Sequence, residues 1–251
     1  MTQLRRAGAG AVASDLLRRE GSYRPERGDP PRRPWRGRTG QPGGPIFNIS
    51  PVVLWLAIAN LAVHLILALL PDDLELWLVY NLGLVSARLT GTMAWGPFDP
   101  ATLVTYQFLH GGLEHLGMNL LALLAFGVGL ERWIGPWRFL ALYLLCGIAG
   151  GLAQTAMFPD GQGPLIGASG AISGCFAAII RLMAGVAQAR GGGATGLKQV
   201  GIIALVWIAS QLAFGLVGGD TMLGMVAWWA HIGGFAAGLV LIQFLTPRAP
   251  A

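Results

Sequence analysis

Residues Leu165–Gly174 read LIGASGAISG, and the reading of this stretch decides the fold. It opens one of the most apolar parts of the chain, yet it sets Ser169 among Gly167, Ala168 and Gly170, where a buried helix ordinarily carries Leu or Val. A hydroxyl among bare backbone has meaning only through what stands beside it. The surroundings are hydrophobic well beyond this stretch. Of 251 residues, 54% are hydrophobic and 12% are charged, and the mean hydropathy is +0.58. A soluble domain carries about 25% charged residues, so a water-facing surface cannot be assembled from this set. The chain reads as an all-α, multi-pass membrane protein.

A helix needs about 20 apolar residues to cross the hydrocarbon core. Working outward from Ser169, six segments qualify: 51–70, 113–129, 137–158, 165–184, 200–217 and 226–245. Six spans put both termini on one side. Lys and Arg concentrate in cytoplasmic loops. Here ten arginines lie before residue 39, Arg132 and Arg138 flank the loop between spans two and three, Arg181, Arg190 and Lys198 mark that between four and five, and Arg248 follows span six. All of the 17 basic residues except Arg88 then fall on one side, which gives an N-in, C-in topology. The net charge of +5 is therefore a topology signal, and nucleic acid is not expected as a partner. Residues 1–46 are rich in Arg, Pro and Gly without hydrophobic period, which reads as a disordered cytoplasmic tail. They lack the apolar core of a signal peptide, and Asp15, Glu20, Glu26 and Asp29 argue against a transit peptide. Residues 47–251 form the six-helix domain. The segment 71–112 carries LELWLVYNLGLV, too short to span, and is expected along the interface or half inserted. Cys146 and Cys175, each inside an apolar run, read as small packing residues.

Spans two, four and six all run inward from the acidic, outer side, and their polar residues fall in the first two turns. Span two opens HGGLEHLGMN, with His115 and Asn119 at i and i+4 on one face. Ser169 comes about one turn into span four, and His231 about five residues into span six. At about 1.5 Å per residue, all four stand within about 10 Å of the outer face. Polar groups at this depth either hydrogen-bond a neighbouring helix or serve function. Four at matching depth favour function, whereas His64, alone in span one, is read as an ordinary packing residue. Gly170 and Gly174 on span four, and Gly234 and Gly238 on span six, form small-xxx-small faces that permit close helix approach, and Gly167 extends that bare surface.

Several chemistries fail on spacing. HGGLEH is not H-E-x-x-H, and no metal set is present. The elbow G-x-S-x-G fails because position 171 is Ala. No pair of intramembrane aspartates exists, and no Asp lies beside His231 in sequence. What remains is a Ser–His dyad. Ser169 would be the nucleophile at a helix start, His231 its general base and later general acid. His115, Asn119 and the backbone N–H of Ser169 are the available oxyanion donors.

These residues resemble the rhomboid intramembrane serine proteases. The resemblance runs from about Thr105 to Gly238. It is carried by TYQFLHGGLEHLGMNLLALLAFGVGLE with His110, His115 and Asn119, by Glu131 in ERWIG, by G-A-S-G around Ser169, and by AHIGGFAAG around His231. It implies cleavage of single-pass membrane proteins near the outer face, without cofactor; six spans without an added one point to a bacterial plasma membrane. Two positions depart from the pattern. Ala101–Thr102 stand near the place of a Trp-Arg pair found in many rhomboids. Ser173 stands where some carry an aromatic against the histidine, leaving Trp228 and Trp229 as candidates to support the His231 ring. Two rival readings remain: an inactive relative that binds membrane proteins without cutting them, and a transporter, which would place its polar groups near the midplane.

Overall fold

The computed structural model describes residues 50–189, 194–217 and 228–246. The expected tail, residues 1–46, lies outside them. Nine α-helices occur among the described residues: α1 (Pro51–Ala68), α2 (Asp72–Leu82), α3 (Ser86–Leu89), α4 (Asp99–Thr105), α5 (Leu113–Ile134), α6 (Pro136–Met157), α7 (Ser169–Ala187), α8 (Ala194–Val217) and α9 (Trp228–Leu245). A single 3-10 turn, Tyr106–Phe108, follows α4 directly. Five of the helices, α1, α5, α6, α7 and α9, are long and apolar enough to cross a membrane, and α8 contains a shorter apolar stretch, Lys198–Ser210. Their outward faces are hydrophobic: Trp55, Leu69, Leu121, Leu205 and Phe244 are all more than 60% exposed. Water-soluble monomers rarely present apolar surface on this scale, so these faces are lipid-facing. This is an all-helical, multi-pass membrane protein.

Local sequence sets the boundaries. Gly135, at φ +90°, closes α5, and Pro136 opens α6 at the first helical position, where a missing N–H costs nothing. The second span therefore runs five residues further than its apolar stretch predicts, because Glu131 and Arg132 continue the helix to that stop. The fourth starts later than predicted, at Ser169 rather than Leu165. Pro164 and the positive-φ Gly167 keep the chain extended there, and Leu165 pairs with Leu84 in an isolated antiparallel bridge.

Helices α6, α7 and α9 form the centre, with Phe139, Leu142, Tyr143, Cys146 and Cys175 essentially inaccessible. Both cysteines are free thiols. A Cβ on Gly174 would collide with the Cys146 side chain, so that thiol fills the space the glycine leaves.

Glu131, 3% exposed, reaches from α5 to the start of α1. Its carboxylate accepts from the amides of Val52 (3.2 Å) and Val53 (2.9 Å), two of the donors that every helix start leaves unpaired. Ser50 adds a bond from its hydroxyl to the Val128 carbonyl. Glu131→Ala should cost about 1.5–3 kcal/mol, the range for hydrogen bonds to charged groups, and Glu131→Gln clearly less because one acceptor remains. Unfolding in mixed micelles measures this; equal stability of Glu131→Ala and wild type would show that the cap carries no weight.

The segment 71–112 is tied together by polar contacts, while Leu76, Trp77 and Trp95 remain exposed. Arg88, the lone basic residue at this end, forms an ion pair with buried Asp99 (3.6 Å) and lies over the Tyr80 ring. It also donates to the Tyr80 carbonyl at 3.1 Å. Asp99 in turn accepts from the Gly96 amide at 2.6 Å and opens α4. Thr105, the last residue of α4, ties back to the Leu82 carbonyl (2.6 Å), fixing α4 against the end of α2.

Candidate active site

The backbone before Ser169 is held from two sides. Leu84 and Leu165 exchange both amide–carbonyl bonds, at 3.0 and 2.8 Å, and the Gly167 amide donates to the Tyr106 carbonyl at 2.9 Å. Gly167 adopts φ +117°, a conformation open to glycine and strained for other residues. A Cβ there would stand 2.8 Å from His115 Nε2 and 3.8 Å from Ser169 Oγ. Gly167 is thus not one of the helix-packing glycines expected from the sequence. It is the bare corner across which His115 and Ser169 face each other.

Ser169 is the first residue of α7, not one turn in as its sequence context predicts. The first amides of a helix have no acceptor within it, and the partial positive charge of the helix start lies at the same place. From α9, His231 Nε2 approaches Ser169 Oγ to 2.7 Å. That approach depends on glycine. A Cβ on Gly234 would overlap the Gly170 carbonyl, and one on Gly238 would overlap the Gly174 carbonyl, so α7 and α9 touch backbone to backbone at two successive turns.

Helix α5 supplies the opposite wall. The Gly111 amide points at His115 Nδ1 over 3.4 Å. With Nδ1 accepting, a neutral His115 carries its proton on Nε2, the atom turned towards Gly167 and Ser169. Asn119 is buried, and its amide nitrogen donates to the His115 carbonyl at 2.8 Å. That uses one of its two hydrogens and leaves the other for a ligand. His110 packs edge-on against His115, ring centres 5.1 Å apart. Burial, then the neighbouring His115, holds its pKa down to about 4, so it is neutral at ordinary pH.

A cavity of about 1250 Å³ joins these groups. Ser169, His231, His115 and Asn119 all line it, and it continues past Ala122 and Phe126 to Phe176 and Trp207. Phe176 and Trp207 lie 5.2 Å apart, ring centre to ring centre, and form its apolar end. Ser173 does not reach the histidine: its hydroxyl bonds back to the Ser169 carbonyl at 2.7 Å. Trp228 and Trp229 stack on each other, ring centres 4.1 Å apart. Among the described residues no cluster of His, Cys, Asp or Glu could hold a metal ion.

One organising residue escaped the sequence reading. Tyr106, 1% exposed, holds Gly167 through its carbonyl and donates its hydroxyl to the Gly147 carbonyl of α6 at 2.6 Å. Its hydroxyl would also be 3.5 Å from a Cβ on either Gly150 or Gly170. Burial raises its phenol well above the usual range, so it stays a donor. A single residue therefore ties the Ser169 approach segment, through its backbone, to α6, through its side chain. The sequence offered only the absence of any reason for a phenol inside TYQFLH.

Known proteins are similar to this chain in sequence. The chain is 35% identical over 150 residues to "Rhomboid protease GluP" of Bacillus subtilis (59% of this chain, 27% of that one). It is 36% identical over 142 residues to "RHOMBOID-like protein 4" of Arabidopsis thaliana (55% and 32%). Over 137 residues it is 33% identical to "Rhomboid-type serine protease 2" of Emericella nidulans (54% and 25%). The matched part is thus about a third or less of each of these relatives. The family described as the rhomboid domain matches residues 97–248, more than half of the chain, and this range includes Ser169, His231, His115 and Asn119. The chain belongs to the rhomboid family.

Proposed function

We propose that this protein is an intramembrane serine endopeptidase that cleaves single-pass membrane proteins near the outer face of a bacterial plasma membrane. One observation carries the reading: the 2.7 Å contact between His231 Nε2 and Ser169 Oγ at the start of a helix, in the wall of a cavity. The membrane assignment adds a sixth span, α8, and an N-in, C-in orientation, both supported by the placement of all basic residues but Arg88.

The chemistry follows from the donors and acceptors present. Ser169 Oγ attacks the scissile carbonyl while His231 Nε2 takes its proton. Charge gathers on the carbonyl oxygen, where His115 Nε2–H, the second Asn119 amide hydrogen and the Ser169 backbone N–H can meet it. The protonated His231 then gives its proton to the departing amine, leaving an acyl group on Ser169. Water, activated by the same imidazole, hydrolyses that ester and restores the hydroxyl. No cofactor enters the scheme.

The test is incubation of purified protein in detergent with a generic single-span substrate, with product ends mapped by mass spectrometry. One cut near the outer end of the substrate helix is expected. Intact substrate would favour the rival reading of a relative that binds without cutting. Asn119→Ala should lower kcat by roughly 10- to 1000-fold, as for other lost oxyanion donors, with little change in KM. A change confined to KM would make Asn119 a substrate contact instead.

A further inference from the structure

At the end of the bundle opposite Ser169, a second and smaller cleft of about 370 Å³ opens between the ends of α5, α7 and α9. Trp133, Arg181, Leu182, Gly185, Gln243 and Thr246 are among the residues that line it. By the volume of about 30 Å³ per liquid water, it has room for a group of roughly ten heavy atoms, more than a simple ion requires. Gly185 faces it with nothing within 4 Å of a Cβ position, so the space is open rather than filled by a neighbour.

The charge around it has one sign. Arg132, Arg138, Arg181 and Lys198 all lie at this end by the course of their helices. Of the described carboxylates only Glu131 shares it, and its two oxygens are taken by the α1 amides. No described carboxylate pairs with Arg181. The cleft thus offers a guanidinium and a Gln243 amide at its rim and an apolar wall of Leu182 and Ile242. Trp133, 41% exposed, stands at its mouth, as indoles do at the membrane–water boundary.

We propose that this cleft binds the phosphodiester headgroup of an anionic phospholipid, with the guanidinium of Arg181 on the phosphate and the acyl chains along Leu182 and Ile242. A planar guanidinium matches phosphate oxygens in pairs. Basic pockets between helices on the cytoplasmic side are recognised lipid-headgroup sites. A soluble organic phosphate shares the head chemistry but has nothing to lay on the apolar wall. The proposal uses the charge-based orientation put forward above and is independent of proteolysis, so the two can fail separately.

Native mass spectrometry of the full chain released from mixed micelles tests it, with phosphatidylglycerol and phosphatidylcholine as probes and glycerol phosphate as soluble competitor. Wild type should retain one phosphatidylglycerol at a concentration at least about tenfold below that needed for phosphatidylcholine. Arg181→Gln should remove that preference. Gly185→Leu, which keeps the charge, fills the open space and favours the helix, should do the same, whereas Arg181→Lys should keep most of it. Equal retention of the two lipids by wild type would overturn the proposal, as would an unchanged preference in both Arg181→Gln and Gly185→Leu. Displacement by glycerol phosphate at matched concentration would assign the cleft to soluble phosphates and overturn the lipid.

Discussion

Ser169→Ala and His231→Ala should each leave an inserted, folded protein whose turnover is about 10⁴- to 10⁶-fold below wild type, the loss seen when one member of a catalytic unit is removed. The two side chains share a single 2.7 Å contact, and no third polar side chain is needed in the scheme to replace either. A fluorophosphonate reagent separates chemistry from folding. It should label Ser169 in wild type, no residue in Ser169→Ala, and Ser169 only very slowly in His231→Ala. Near-normal cleavage by either variant would remove the dyad from the mechanism.

The second large effect should come from a single carbon. A Cβ on Gly234 would overlap the Gly170 carbonyl, and backbone cannot swing aside as a flexible side chain can. Helices α7 and α9 must then separate by an ångström or so, carrying His231 away from Ser169. A displacement of about 1 Å costs roughly 100-fold in a positioned reaction. Gly234→Ala should therefore reduce turnover by about 100-fold, and Gly234→Val by more, with both dyad residues still present. Alanine is intrinsically the better helix former by about 1 kcal/mol, so weakened helix propensity cannot cause such a loss. Gly201 in α8, where a Cβ would meet nothing within 4 Å, supplies the control: Gly201→Ala should be close to wild type. Equal activity in Gly234→Ala and Gly201→Ala would mean the close helix contact does not set the reaction geometry.

The hydrophobic spans were legible because a bilayer imposes a length on every crossing helix, and polar residues inside such spans stand out against it. Ser169, His115, Asn119 and His231 could be grouped from depth alone, since three helices enter from one side with their polar residues in the first turns. Depth says nothing of backbone conformation, however. The start of α7 moved from Leu165 to Ser169 because Leu165 finds its partners in Leu84, 81 positions earlier, and pairing across such a distance leaves no periodic trace. Gly167 looked like its neighbours for the same reason. Its need for φ +117° arises from the bridge on one side and the helix on the other. Arg88 stood out as the exception in the charge pattern. Its partner Asp99 could not be chosen from among the acidic residues nearby, because that choice depends on how α3 and α4 turn. Tyr106 was least legible of all, since its importance lies in two bonds to backbone groups whose positions only the folded chain defines.

The bond between Glu131 and the start of α1 has a consequence for synthesis. The amides of Val52 and Val53 leave the ribosome 78 to 79 residues before the carboxylate that will receive them. At about 5–20 residues per second that is a delay of roughly 4–16 s. Until the carboxylate exists, those opening amides lack the partner that the finished fold gives them. Closure must wait until α5 has been made and brought alongside, so α1 cannot be completed before the next membrane-spanning helix exists. A chain stalled before residue 131 would hold α1 in an unfinished state, its first amides not yet sealed.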